Sequence, residues 1–338
     1  MIDETLELPE LAFYYPNPMW TDGDWIKNLI LFFDGIALLV PDYMREKPFI
    51  SDPAIAEGLH KKGLLKIFEP ESFVDKESAQ TLGDALIPII DSGALDALDK
   101  EDSSFHTLSQ SRLGYYGDPE VGEKIFESLR KRGLAKASED GVSVPMHRLV
   151  RSLVLVLLSQ ILRRPGVQRG FNLQPTTDRP EIQNALRDLL GVPSMPSAGN
   201  VVSFDLTTVG IDLSAIPLDK VLDFRQQYQK GYRQYARDLR RFIWEIGSLE
   251  EADRHQALRD RKDELEERAG DLRKTARGAL KSRFSFALGV AGAAWRVHAG
   301  DPIGGLLAFG LGATTAKLAQ PVDAGAYSYL FEARRVFA

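Results

Sequence analysis

The sequence predicts an α+β protein, predominantly helical, in which a small βαβ-like N-terminal part precedes a long antiparallel helical hairpin and a C-terminal Gly/Ala-rich helical hairpin. Three observations predict it. Short apolar runs alternate with helix signals before Pro41, aromatic and aliphatic residues recur at spacings of three and four after Asp219, and two small-residue apolar runs follow Phe284. A chain of 338 residues, 44% of them hydrophobic, suggests about two domains. The boundary is expected near residue 200, giving an α+β domain over 1–200 and a helical domain over 201–338.

At the N-terminus, Leu11 to Tyr15 reads as a strand closed by Pro16-Asn17-Pro18. Thr21 or Asp22 then caps a helix through Phe33, and Ile36 to Val40 reads as a second strand closed by Pro41. Two later stretches share one punctuation. Asp52-Pro53 opens a helix ended by Lys61-Lys62-Gly63 before a strand from Leu64 to Phe68. Asp118-Pro119 opens another, ended by Lys131-Arg132-Gly133 before a strand from Leu134 to Ala137. Glu139-Asp140-Gly141 then signals a hairpin into Val142 to Val144, so that this copy resembles the tail of a winged-helix module, with a generic α+β element as the plainer reading. His147 to Leu162 is apolar around most of its circumference and is expected to be the central core helix. Gly191 to Gly199 is the linker candidate.

The long hairpin is expected over 219–283. Its first seam is Tyr228, Tyr232, Tyr235, Leu239, Phe242, Ile246 and Leu249, and its second is Leu258, Leu265, Ala269, Leu272, Ala276 and Ala279. Gly247 stops the first helix, and Ser248 with Glu251 caps the second. Each helix is expected to run roughly 30 residues, or about 45 Å. The Gly/Ala-rich runs within 284–318 are too short to cross a bilayer, which takes about 20 residues, so a docked hairpin is expected and a membrane role is not.

Composition removes several chemistries. With no cysteine there is no disulfide, thiolate metal site or cysteine nucleophile, and the acidic N-terminus (Asp3, Glu4, Glu7) lacks the basic flank of a secretory signal; a cytoplasmic location is expected. Residues 1 to 200 hold 21 basic and 30 acidic side chains, whereas 201 to 338 hold 21 and 18. The acids crowd between Glu71 and Asp102, a stretch that should repel phosphate backbones and is expected to be a solvated face.

The five histidines are scattered, with no pair at metal-ligand spacing, and no phosphate-loop or nucleophile-elbow motif occurs. No metal and no cofactor are therefore expected. Carboxylates remain as catalytic candidates: Asp34, before the second strand, and Asp178, in Thr176-Thr177-Asp178, would have to meet to hold a divalent cation in a nuclease-like site. The simpler expectation is that Asp178 caps a helix beginning near Pro180. A basic cluster of Arg225, Lys230, Arg233, Arg237, Arg240 and Arg241, interleaved with tyrosines and opposed only by Asp238, could contact an acidic protein surface or phosphates. It could equally pair with Asp263, Glu264, Glu266 and Glu267 of the second hairpin helix.

Phe13-Tyr14-Tyr15-Pro16-Asn17 with Trp25 and Phe33-Asp34, Thr177-Asp178, and Val221-Leu222-Asp223-Phe224-Arg225 together resemble a bacterial family catalogued as domain of unknown function 6236. The resemblance implies a bacterial cytoplasmic protein of a mobile or defence-associated locus and brings no catalytic residues with it. The expected role is macromolecular interaction rather than turnover, through a protein partner or self-association. Nucleic acid is an unsupported option, and a metal-dependent enzyme or a membrane effector using 284–318 are the alternatives.

Overall fold

The two N-terminal apolar runs become neighbouring parallel strands, β1 (Glu10–Tyr14) and β2 (Gly35–Leu39). A computed structural model describes residues 8–15, 17–178, 205–206, 208–247, 249, 251–275 and 327–337. The architecture is predominantly helical α+β. The described residues fall into two compact units, one built from residues up to 23 and 33–178, the other from 24–32, 205–275 and 327–337. Residues 24–32 thus join the second unit, an early segment that a single boundary at residue 200 does not anticipate. The linker candidate at 191–199 and the Gly/Ala-rich runs of 284–318 lie outside the described residues.

In the first unit, β3 (Leu65–Phe68) and β6 (Asn172–Thr176) complete a four-stranded, all-parallel sheet in the order β3-β2-β1-β6. β1 and β2 are buried along their whole length, which is why they read as continuous apolar runs. Among the described residues β6 pairs with β1 alone, and it carries Pro175 opposite Phe13, a residue tolerated in a strand mainly at a sheet edge. Helix α1 (Gly23–Ile30) follows β1, and α2 (Lys47–Ser51) and α3 (Pro53–Lys61) follow β2.

The repeated punctuation behaves as expected. Asp52 and Asp118 accept hydrogen bonds from Ile55 N and Val121 N at the starts of α3 and α6 (Pro119–Lys131), and Gly63 and Gly133 both adopt φ +68° just past the ends. After β3 come α4 (Pro70–Phe73), α5 (Lys76–Asp91) and β4 (Phe105–Ser109). The strand expected at Leu134 to Ala137 is reduced to a single bridge, Ala135 to Met146, flanked by the bonds Lys136 N to Pro145 O and His147 N to Leu134 O, on β5 (Ser143–His147), whose main antiparallel partner is β4. The resulting order is α5, β4, α6, bridge, turn and β5. Asp140 holds the turn by accepting from Val142 N and Ser143 N at 2.9 and 2.8 Å. Helix α7 (Arg148–Ile161) then runs through the core, where Val150, Leu153, Val154, Leu157 and Leu158 cluster with Phe13, Leu39, Leu82, Leu86 and Leu129. Helix α8 (Arg163–Gln168) leads back to β6.

The second unit contains α9 (Leu218–Gln227), α10 (Gln229–Gly247), α11 (Glu251–Thr275) and α12 (Ser328–Phe337). The expected first hairpin helix is broken at Tyr228. There the chain leaves helical geometry (φ −108°, ψ 29°) so that the Tyr228 ring stacks on Phe224 at 4.6 Å. α10 and α11 form the hairpin, Gly247 closing the first and Arg261 of the second lying over the Phe242 ring at 4.4 Å. The seam does not face α11 alone. Tyr235 packs on Phe32 and Tyr232 on Tyr329, with centroids 4.6 and 6.2 Å apart, so the aromatic stretch of α10 is covered by the end of the first helical segment and by the C-terminal helix.

Candidate functional site

The strand order reverses at β1, since β2 and β3 step to one side of it and β6 to the other. In open parallel sheets, ligands sit outside the carboxyl ends of the strands at such a switch. Asp178 stands there, two residues past β6. Its Oδ1 accepts from Tyr14 Oη at 2.8 Å, and its Oδ2 accepts from Thr21 N and Thr21 Oγ1 at 3.0 and 2.7 Å. All three donors belong to β1 or to the loop leaving it, so the carboxylate latches that loop to the end of β6. Trp20 Nε1 donates to Asp52 Oδ2 at 2.9 Å and fixes the same loop from its other side.

Asp34 is elsewhere. It accepts from Glu10 N at 2.8 Å, and its own N–H donates to the Glu10 carbonyl at 2.7 Å, which seals the amino end of β1. Because Glu10 aligns with Asn172 and Tyr14 with Thr176, the two carboxylates lie at opposite edges of the sheet, separated by a strand about 13 Å long. They do not form a joint site. Among the described residues no group of three His, Asp or Glu side chains could hold a metal ion.

Beside the switch, at the carboxyl ends of β1 and β2, is a crevice lined by Phe13, Tyr15, Asn17, Leu39, Arg112, Leu155 and Ser159, with neighbouring Tyr14 and Leu158. It encloses about 240 Å³ with its open mouth. Arg112 is on the turn Gln110–Leu113 between β4 and α6 and is only 4% exposed. Its Nη2 donates to the Leu39 carbonyl, while its Nε is buried without a partner. Burial pushes the guanidinium down to about 9, and the like charge of Arg151 adds to that, against weaker opposing contributions from Tyr43 and Glu71. Arg151 donates to the Thr107 carbonyl at 3.0 Å and to Asn17 Oδ1 at 3.4 Å, positioning Asn17 at the mouth. Sequence reasoning passed over Arg112. Its one sequence signal is a lone cation flanked by Leu108 and Leu113 in an otherwise uncharged segment.

In the second unit, the basic cluster is sorted by the helix. Lys230, Arg233, Arg237 and Arg241 are exposed, and Arg225 and Arg240 are half-buried. Arg225 lies over the Tyr232 ring at 5.1 Å. Asp238, the only acid in the stretch, points inward. It accepts from Arg261 Nη1 at 3.4 Å and from Arg241 Nη2 at 2.9 Å. Arg261 is itself 3% exposed and makes two bonds to the fully buried Asp205, at 2.8 and 2.5 Å, a bidentate pair that Tyr235 Oη joins at 2.5 Å. The acids expected to neutralise the cluster stay on their own helix in part: Lys262 pairs with Glu266 at 3.6 Å. No family model, no curated protein and no solved structure matches this chain.

Proposed function

We propose that the protein works by holding a protein partner with an acidic surface, through the outer face of α10, and not by turnover. One observation carries this reading. Lys230, Arg233, Arg237 and Arg241 follow one another at helical spacings on α10 and are all exposed, while Asp238, the single carboxylate between Arg225 and Arg241, is buried and bonded by Arg261 and Arg241. The outer face is therefore dominated by cations, with Glu245 at its end 3.9 Å from Arg241, a surface that complements carboxylates. A nucleic-acid partner is supported less well, because single-stranded recognition uses exposed rings as stacking platforms and Tyr232 and Tyr235 are buried. No described helix is long and apolar enough to cross a membrane. The family resemblance adds a bacterial cytoplasmic setting, in a defence-associated complex, to this proposal.

The test is a triple charge reversal, Lys230→Glu, Arg233→Glu and Arg237→Glu, at positions whose exposure leaves the fold intact. Tagged wild-type protein expressed in its own host should co-purify an acidic protein at low salt and release it as salt screens the contact. The variant should capture none of it at an unchanged melting temperature. Equal capture by both, or release of the bound material by nuclease, would overturn the proposal.

A further inference from the structure

The crevice at the carboxyl edge of the parallel sheet has a use independent of the α10 face. Arg112 has been brought into the protein interior with no carboxylate hydrogen-bonded to it: among the described residues its guanidinium bonds only the Leu39 carbonyl, and its Nε is left over. Isolated buried charge is strongly disfavoured, and an arginine is retained in such a place when something completes its donor set. The neighbours do not complete it. Arg151 repeats the same sign, while Glu71 of α4, the acid that interacts with Arg112 at longer range, keeps its own Oε2 buried without a hydrogen-bond partner. Two guanidinium groups crowded at the end of a parallel sheet, one of them missing an acceptor, describe a place prepared for an anion.

The size and walls narrow the anion. The crevice measures about 240 Å³ with its open mouth, which limits any occupant to a small molecule. Its walls are Phe13, Tyr15, Leu39, Leu155 and Leu158, with Asn17 and Ser159 as the polar positions besides Arg112. A phosphate group carries close to two charges at neutral pH and needs donors on all sides, whereas a carboxylate carries one charge and is matched by one guanidinium. We propose that the crevice binds the carboxylate of a small organic acid, with Arg112 Nε donating to it, Asn17 at its mouth and the apolar walls taking the hydrocarbon part.

The probes are acetate and benzoate, compared with phosphate and chloride at matched ionic strength on the full chain. Saturable stabilisation is expected from the organic acids, benzoate above acetate, because a ligand that binds only the native state raises the melting temperature. Arg112→Met should weaken the acid by at least about tenfold, equivalent to about 1.4 kcal/mol. Because a core substitution can also unfold the chain, Glu71→Gln serves as the second variant. It removes a nearby negative charge and should tighten benzoate about threefold, a gain of about 0.6 kcal/mol. The proposal fails if wild type shows no saturable shift below about 50 mM acid, far weaker than a millimolar site, or if Arg112→Met keeps the full shift. It fails as well if phosphate stabilises more than benzoate, or if Glu71→Gln weakens binding.

Discussion

His147 opens α7 with an imidazole that is 1% exposed, and this one residue should give the protein a pH dependence. Its Nδ1 accepts from Leu149 N at 3.3 Å, so the cap requires that nitrogen to stay unprotonated. Burial lowers its pKa below 6.5, although Asp99, whose Oδ2 is 3.7 Å from Nε2, pulls the other way. A depressed pKa means that the unfolded chain takes up a proton before the native one does. Stability is therefore complete above about pH 6.5, declines as pH falls from there through the lower native pKa, and levels off below it. Thermal melts from pH 8 to 5 should show this slope, and His147→Asn, which keeps a capping acceptor without a titrating group, should flatten it. An unchanged slope in the variant would assign the effect elsewhere. Asp178 is the other residue whose role the geometry defines. Loss of three donors' acceptor in Asp178→Ala should cost about 1.5–3 kcal/mol in chemical denaturation, and magnesium should leave the wild-type midpoint in place. A magnesium shift that disappears in Asp178→Asn would restore the carboxylate as a metal ligand.

At the level of elements, the hairpin offers a graded test of packing. Leu239 is 2% exposed on the inward face of α10, and Phe242 is half-buried beneath Arg261. Leu239→Ala should cost about 2–5 kcal/mol, with Phe242→Ala costing less than that, and unchanged denaturation midpoints in both would mean that the seam is not a core. The periodicity of this helix was legible because burial on one face imposes it. The partners were not, since Phe32 and Tyr329 approach from distant points in the sequence and leave no local pattern. Local punctuation likewise announced α3 and α6 at Asp-Pro and Gly, where backbone geometry is decided by the residues themselves. β6 was concealed by Pro175, a residue that argues against a strand, and the strand after α6 was overstated because only Ala135 completes a bridge, to Met146 of β5. Asp178 was legible as a candidate carboxylate after the core helix, yet its function as a latch depends on Thr21 and Tyr14, more than 150 positions away. Arg112 left almost no trace, because burial of a charge is decided by tertiary structure and runs against composition.

On the scale of the whole molecule, the second unit is assembled from three stretches that are remote in the chain, and its C-terminal helix is what closes it. Tyr329 Oη donates to the Leu31 carbonyl at 2.9 Å, its ring packs against Phe32 and Phe224, and Tyr327 Oη receives a bond from Arg261 Nη1 at 3.2 Å. Tyr327, Tyr329, Leu330 and Ala333 are all buried. The Arg261 network is sensitive to such a loss. A buried ion pair is held by completeness of its hydrogen bonds, and breaking one partner costs about 3–5 kcal/mol because the remaining charge stays desolvated. Truncation after residue 326 removes the Tyr327 acceptor and uncovers Phe32 and Phe224 together. Hydrogen exchange should therefore find the α10 amides near Tyr235 and Leu239 losing protection in the truncated chain. The point substitution Tyr329→Phe, which forfeits one hydrogen bond and keeps the ring, should cost only about 1 kcal/mol. If the truncated chain kept native protection along α10, the C-terminal helix would be an accessory to this unit, and the aromatic cluster around Phe32 would have to be stable without it.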